Sequence, residues 1–156
     1  MAKIKAKTTK PMTVAYIEHI GPYSEVPWEE YMERLYGWAK EHHVRPGFSA
    51  IGIYHDNPED VQPEACRSEV AIPIHGDASS DGGVKVKELP AMRVAELTFK
   101  GPSTMLGDAY RDIMAWTAEH GCEAAGPSME IYRSRPKIKK GKMIFSARIQ
   151  VPITEQ

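Results

Sequence analysis

The sequence has little cysteine, no long apolar run and almost no net charge. Its two cysteines, Cys66 and Cys122 in 156 residues, are too few for a disulfide framework. Neither stands in a CxxC or other paired metal-ligand spacing, so both read as reduced, small apolar residues. No apolar run approaches the roughly 18 residues that a membrane span requires. The charged start MAKIKAKTTK has no apolar stretch of a secretory signal behind it, so a cytoplasmic protein without a membrane partner is expected. Lys and Arg total 20 against 21 Asp and Glu, a formal charge of −1. No global field therefore draws the chain to nucleic acid, and any electrostatic site must be local. His42-His43 and His120-x-Cys122 lack a second ligand pair at suitable spacing, so no metal is assigned and no cofactor is implied.

What is present is an ordinary globular composition, 42% hydrophobic and 26% charged, in a length that suits one domain. Within it the chain repeats itself. MTVAYIEHIGPYSEV from Met12 aligns with MRVAELTFKGPSTML from Met92, and GWAKEHHVRPGFSAIGIY from Gly37 aligns with AWTAEHGCEAAGPSMEIY from Ala115. EVAIPI from Glu69 aligns with RIQVPI from Arg148. The three blocks recur in one order and at a nearly constant offset, which identifies a duplication. Repeat one covers about 11–75 and repeat two about 84–153, with 76–83 as linker.

Each half reads as β-α-β-β. Residues 12–20 and 91–100 have strand composition and stop at Gly21-Pro22 and Gly101-Pro102. Trp28, Tyr31, Met32, Leu35, Tyr36 and Ala39 then follow helical spacing behind Ser24 as N-cap, and Leu106, Ala109, Tyr110, Ile113 and Trp116 do so behind Ser103. Pro46-Gly47 and Gly126-Pro127 close the helices. Strands follow over 49–54 and 66–74, then over 128–133 and 143–153, while 84–89 is an extra strand leading into repeat two. The fold class is therefore α+β: two units around an approximate twofold axis, sharing a continuous antiparallel sheet with two main helices. Their seam is the natural ligand cleft.

Alternation assigns faces. Met129 and Ile131 should face the helices, leaving Glu130 and Tyr132 on the opposite face beside Arg148 and Gln150. Ile51, Ile53, Val70 and Ile72 likewise face inward, leaving Gly52, Tyr54 and Glu69 on the other face. Tyr16, Tyr54 and Tyr132 read as pocket walls or sheet-surface packing, Trp38 and Trp116 as core. Glu18, Glu69 and Glu96 are strand carboxylates that rim the cleft or are simply exposed. Arg133, Arg135, Lys137, Lys139, Lys140 and Lys142 form a basic run without interleaved aromatics, a solvated hairpin rather than a nucleic-acid contact.

VAYIEHIGPYSEV, its echo VAELTFKGPS, ACRSEVAIPI and GPSMEIY make the chain, over about residues 11–153, resemble the GyrI-like family. This is the effector-binding domain of AraC-type and MerR-type multidrug-sensing regulators, also found alone. The resemblance implies a duplicated β-α-β-β fold whose seam binds lipophilic, often cationic, small molecules against aromatic rings and a buried Glu, here Glu130 followed by Tyr132. Where the family has a second carboxylate four residues before the final-strand Pro, this chain has Arg148. That cation either pairs with Glu130 and cancels a preference for cations or admits an anionic or neutral ligand. No DNA-binding segment fits at either end, so a stand-alone module is expected, and binding ranks above catalysis because Arg148 would stabilise the charged form of a Glu130 base. The ligand-binding set is Glu130, Tyr132, Tyr16, Tyr54, Arg148, Glu69 and Glu96. The alternatives are a hydrolase of reactive small molecules with Glu130 as base, or a gyrase-inhibitor-like module with a protein partner.

Overall fold

Two stretches of alternating charged and apolar residues, Ile4-Lys5-Ala6-Lys7 and Val84-Lys85-Val86-Lys87, decide how the chain is assembled. The computed structural model describes residues 3–133, 137–139 and 142–155. Residues 10–91 form one compact unit, and residues 3–9 with 92–155 form the other. The unit of repeat one contains β2 (Met12–Ile20), α1 (Trp28–Glu41), β3 (Arg45–Pro46), β4 (Ala50–Tyr54), β5 (Arg67–His75) and β6 (Lys85–Leu89). The unit of repeat two contains β1 (Ile4–Thr8), β7 (Arg93–Pro102), α2 (Leu106–Glu119), β8 (Cys122–Ala124), β9 (Ser128–Tyr132), β10 (Lys137–Lys139) and β11 (Lys142–Glu155).

The repeat is thus two strands longer than the expected β-α-β-β: β1 precedes the first copy as β6 precedes the second, and the short β3 and β8 follow the helices. Each leading strand is exchanged. β6 pairs with β2 (Tyr16 opposite Lys85, Val14 opposite Lys87), whereas β1 pairs with β7 (Lys5 opposite Glu96, Lys7 opposite Val94). Residues 84–89 therefore lead into repeat two in sequence but complete the sheet of repeat one. The strand order is β4-β5-β2-β6 in the first unit and β1-β7-β11-β9 in the second, antiparallel throughout.

Each helix lays its apolar stripe on its own sheet. Leu35, Trp38 and Ala39 of α1 join Ala15, Ile17, Val70 and Ile72 in one core. Ala109 and Ile113 of α2 join Leu97, Phe99, Phe145, Ala147 and Ile149 in the other, with Trp116 packed against it. The helix starts differ from expectation. Ser24 lies in a single 3₁₀ turn, and α1 begins only after Val26 in extended conformation and Pro27. Ser103 opens a 3₁₀ turn that runs directly into α2, its carbonyl accepting the Leu106 N–H, and Met105 rather than Ser103 stands at the N-cap of α2. The ends also come before Pro46 and Gly126. Gly121 adopts φ 67° after α2, and His43, its counterpart in repeat one, takes φ 57° after α1. A left-handed residue stops each helix.

The largest difference concerns sheet faces. Glu130 is opposite Ile149 and Tyr132 opposite Ala147, whereas Ile131 is opposite Arg148 and Met129 opposite Gln150. Directly paired residues share a face, so Glu130 and Tyr132 lie on the face covered by α2. Likewise Gly52 is opposite Val70 and Tyr54 opposite Ser68, on the α1 face, while Ile51 and Ile53 lie with Ala71 and Glu69 on the other. The expectation fails for a physical reason. Met129, Ile131, Ile51 and Ile53 are all at most 6% exposed on the face without a helix, so both faces of β4 and β9 are dry and apolar side chains do not mark the helix side.

Of the basic run, Arg133 is exposed. Arg135 and Lys140 lie outside the described residues, as do the side chains of Lys137, Lys139 and Lys142.

Register makes a direct prediction for two neighbours on β7. Leu97 is 1% exposed on the α2 face, so Leu97→Ala costs about 2–5 kcal/mol. Thr98 is exposed on the other face, so Thr98→Ala stays within about 0.5 kcal/mol. Urea denaturation of both variants measures the contrast, and equal losses would contradict the facing.

Candidate functional site

β9 is held between β11 on one side and, on its α2 face, the helix stripe that carries Tyr110. That placement confines the Glu130 carboxylate, 4% exposed, between two phenols. The Tyr110 hydroxyl donates to Oε2 at 2.6 Å, and the Tyr132 hydroxyl donates to Oε1 at 2.8 Å. Tyr110 also lies 3.5 Å from Ser128 Oγ. Apolar rings complete the surroundings: Tyr132 meets Phe145 edge-on at 5.8 Å, and Phe145 meets Phe99 at 5.3 Å. Burial pushes the Glu130 carboxyl above its ordinary value, against the smaller opposing effect of hydrogen bonds from Tyr110 and Tyr132. Among the described residues no cationic side chain pairs with it. Chemically, this is an under-compensated buried carboxylate walled by aromatic rings.

Arg148 does not reach this site. It stands opposite Ile131 and Thr98, on the face away from α2, so the expected pairing with Glu130 is excluded by strand parity. Glu96 shares the Arg148 face. It is 3% exposed, accepts from Gln150 Nε2 at 2.7 Å and has Lys7 at 3.6 Å and Lys5 at 4.0 Å.

In the other unit the repeat-one counterpart of Glu130 is Gly52. A Cβ there would come within 2.6 Å of the Tyr54 hydroxyl, so the Tyr54 side chain lies where a carboxylate stem would start. Tyr54 also meets the Tyr23 ring at 4.9 Å, and the Tyr23 hydroxyl donates to the Asp56 carbonyl at 2.7 Å. The anchor is not duplicated. Tyr16, Glu18 and Glu69 fall on the face of this unit without a helix. There Glu69 is bonded by His55 and Lys87, and Glu18 by Lys85. The Glu18 carboxyl is held below its ordinary value, chiefly by the hydrogen bond from Lys85.

The seven residues expected to line one site thus divide by face. Glu130 and Tyr132 come together, joined by Tyr110. Tyr54 occupies the corresponding face of its own unit. Glu96 with Arg148, and Glu69 with Tyr16, occupy the faces without a helix. Tyr110, His55 and Lys87 were not singled out from sequence. For Tyr110 a signal existed: a phenol in an otherwise apolar helical stripe needs a polar partner opposite it.

A family model described as the GyrI-like small molecule binding domain matches residues 2–154. A protein from Edwardsiella piscicida named DNA gyrase inhibitor is 28% identical over 145 residues, 85% of this chain and 86% of that one. Among solved structures, the EcmrR C-terminal domain superposes with a TM-score of 0.79 at 17% identity, covering 100% of this chain and 99% of that one. A hydrolase from Listeria innocua superposes with a TM-score of 0.69 at 14% identity, covering 97% and 92%.

The Glu130 environment sets a pH dependence. A carboxyl whose folded pKa lies above its unfolded value supports the fold while protonated. That contribution is fully present below the unfolded pKa and is lost as pH rises through the folded one. The stability of the wild type relative to Glu130→Gln therefore falls as pH is raised from below the ordinary carboxylate value through the raised one. Urea denaturation of both proteins across this window checks it, and a difference independent of pH would contradict the assignment.

Proposed function

Because the chain belongs to the GyrI-like small-molecule-binding domain family, we propose that it captures a small, partly apolar cation with Glu130 as anchor. The observation that carries this reading is the pairing of Glu130 with two neutral hydroxyls and no cation among the described residues. A charge left in that state is costly, and an entering cation offsets the cost. Two opposite charges about 4 Å apart attract by about 4 kcal/mol at an effective dielectric near 20, and ring faces add about 0.5–2 kcal/mol. Tyr110 and Tyr132 hold the carboxylate oxygens in place, so little ordering is needed when the ligand arrives. With Arg148 on the opposite face, nothing at that position cancels the preference for positive charge.

The second reading is turnover. A carboxyl raised by burial is suited to taking a proton from water, and the argument against it, stabilisation of the charged form by Arg148, does not apply at this geometry. In that reaction Glu130 accepts a proton from water as the water oxygen bonds to a ring carbon of the ligand; the strained C–C bond breaks, and the carbanion it leaves takes the proton back from Glu130. Release of product from a cyclopropane-type electrophile that is lost in Glu130→Gln distinguishes it from capture alone.

Titration with tetraphenylphosphonium, followed by tryptophan fluorescence, tests the binding reading. Glu130→Gln weakens binding by about tenfold or more, since a buried charge contact of this kind is worth at least about 1.4 kcal/mol. Arg148→Ala leaves affinity within about twofold, as expected for a charge on another face. Wild-type affinity rises with pH through the raised Glu130 pKa. Binding that is indifferent to Glu130→Gln would overturn the anchor.

A further inference from the structure

The face of the repeat-one unit that carries no helix holds a second carboxylate in an unusual setting. The Glu69 side chain is 7% exposed. Its Oε1 accepts from Lys87 Nζ at 2.5 Å, and its Oε2 lies 2.6 Å from His55 Nε2. The same Lys87 ammonium stands 4.3 Å from the centroid of the Tyr16 ring. One positive nitrogen is therefore held between a carboxylate oxygen and an aromatic face, the arrangement by which proteins recognise ligand ammonium groups. We propose that Glu69 and Tyr16 form a second cation site, distinct from Glu130, in which the Lys87 ammonium is a resident, displaceable occupant, and that it takes small primary alkylammonium ions in place of Lys87.

The repeat itself argues that this is more than a strand fastening. Lys87 corresponds to Lys7, and Lys85 to Lys5, in the leading strand of the other copy, so both leading strands bring lysines to a buried carboxylate. In the repeat-two unit, however, the place of Tyr16 is taken by Glu96 and that of Glu69 by Arg148. Lys7 is then 3.6 Å from a carboxylate that a Gln150 amide already holds. Fastening a leading strand needs only lysine and carboxylate. Glu96 also has a second donor in Gln150, so among the described residues it is the Tyr16 ring beneath the ammonium that sets the Glu69 site apart.

The geometry also permits exchange. Lys87 is 29% exposed and reaches the site on four flexible methylenes from β6, so rotation of its side chain carries the ammonium to water without moving a strand. When Lys87 withdraws, His55 remains beside Oε2 and the carboxylate keeps a hydrogen bond. Glu18, opposite Glu69 across β2 and β5, is occupied by Lys85 and does not compete for the incoming ion. A linear alkylammonium would follow the track of the Lys87 methylenes, with its nitrogen on Glu69 and Tyr16.

The probe is n-butylammonium, which reproduces the lysine methylenes and nitrogen, used in a Glu130→Gln background so that the first site does not contribute. Lys87→Ala in that background gains saturable binding, seen as a concentration-dependent rise in Tm, at least about tenfold tighter than with Lys87 present. Glu69→Gln added to it abolishes the gain, and neutral n-butanol gives none. No gain in a folded Lys87→Ala protein overturns the proposal. Should that variant fail to fold, NMR titration of the Glu130→Gln protein with Lys87 intact decides. Tyr16 ring and Lys87 Cε signals that move together and saturate support the site, and signals that stay in place or drift linearly overturn it.

Discussion

Burial on both faces of the strands is the constraint from which the site chemistry follows. A polar side chain on such a strand has no water to turn to and must find its partner inside the protein. Three carboxylates among the described residues are in this position, Glu69, Glu96 and Glu130, and each is answered differently. Glu69 meets Lys87 and His55, and Glu96 meets Gln150 with Lys7 nearby. Glu130 meets two phenols. The first two carry a neighbouring cation as part of the fold, whereas Glu130 lacks one among the described residues. On the proposed function, that asymmetry makes Glu130 the acid with no resident cation to displace, whereas Glu69 and Glu96 already have lysines beside them.

The duplication made most of the element order legible, because Gly-Pro turns, helical stripes and Pro-terminated strands recur at nearly constant spacing. The two leading strands were harder to place. Ile4-Lys5-Ala6-Lys7 alternates like a half-buried strand but sits in a lysine-rich start outside the recognised repeat. Nothing local says that β6 should pair with the repeat before it and β1 with the repeat far behind it. Strand partners are chosen by long-range pairing, to which a pattern of period two is blind. The caps were missed for a related reason: Ser24 and Ser103 lie in 3₁₀ turns ahead of helices that begin, with their apolar stripes, at Trp28 and Leu106.

The facing of β4 and β9 shows where alternation stops being informative. It presumes one wet face, so Met129 and Ile131 pointed to the helix and Glu130 away from it. With both faces dry, residue type no longer separates them, and register against β11 alone decides. The resemblance to a family singled out Glu130 and Tyr132 from their motif rather than from burial, and the structure brings their side chains together. It did not find Tyr110, which completes the site from the preceding helix. Arg148, placed beside Glu130 on the assumption of a shared face, was moved away by a single residue of parity.

The central claim is that Glu130 is a buried acid waiting for a positive partner. The most direct measurement is its own titration, followed through the side-chain carboxyl carbon by NMR with Glu130→Gln as the assignment control. The account predicts a pKa above the ordinary carboxylate value in the free protein and a fall when a lipophilic cation is bound, because the ligand's charge favours the ionised form. An ordinary pKa in the free protein, or one unmoved by saturating cation, would contradict it.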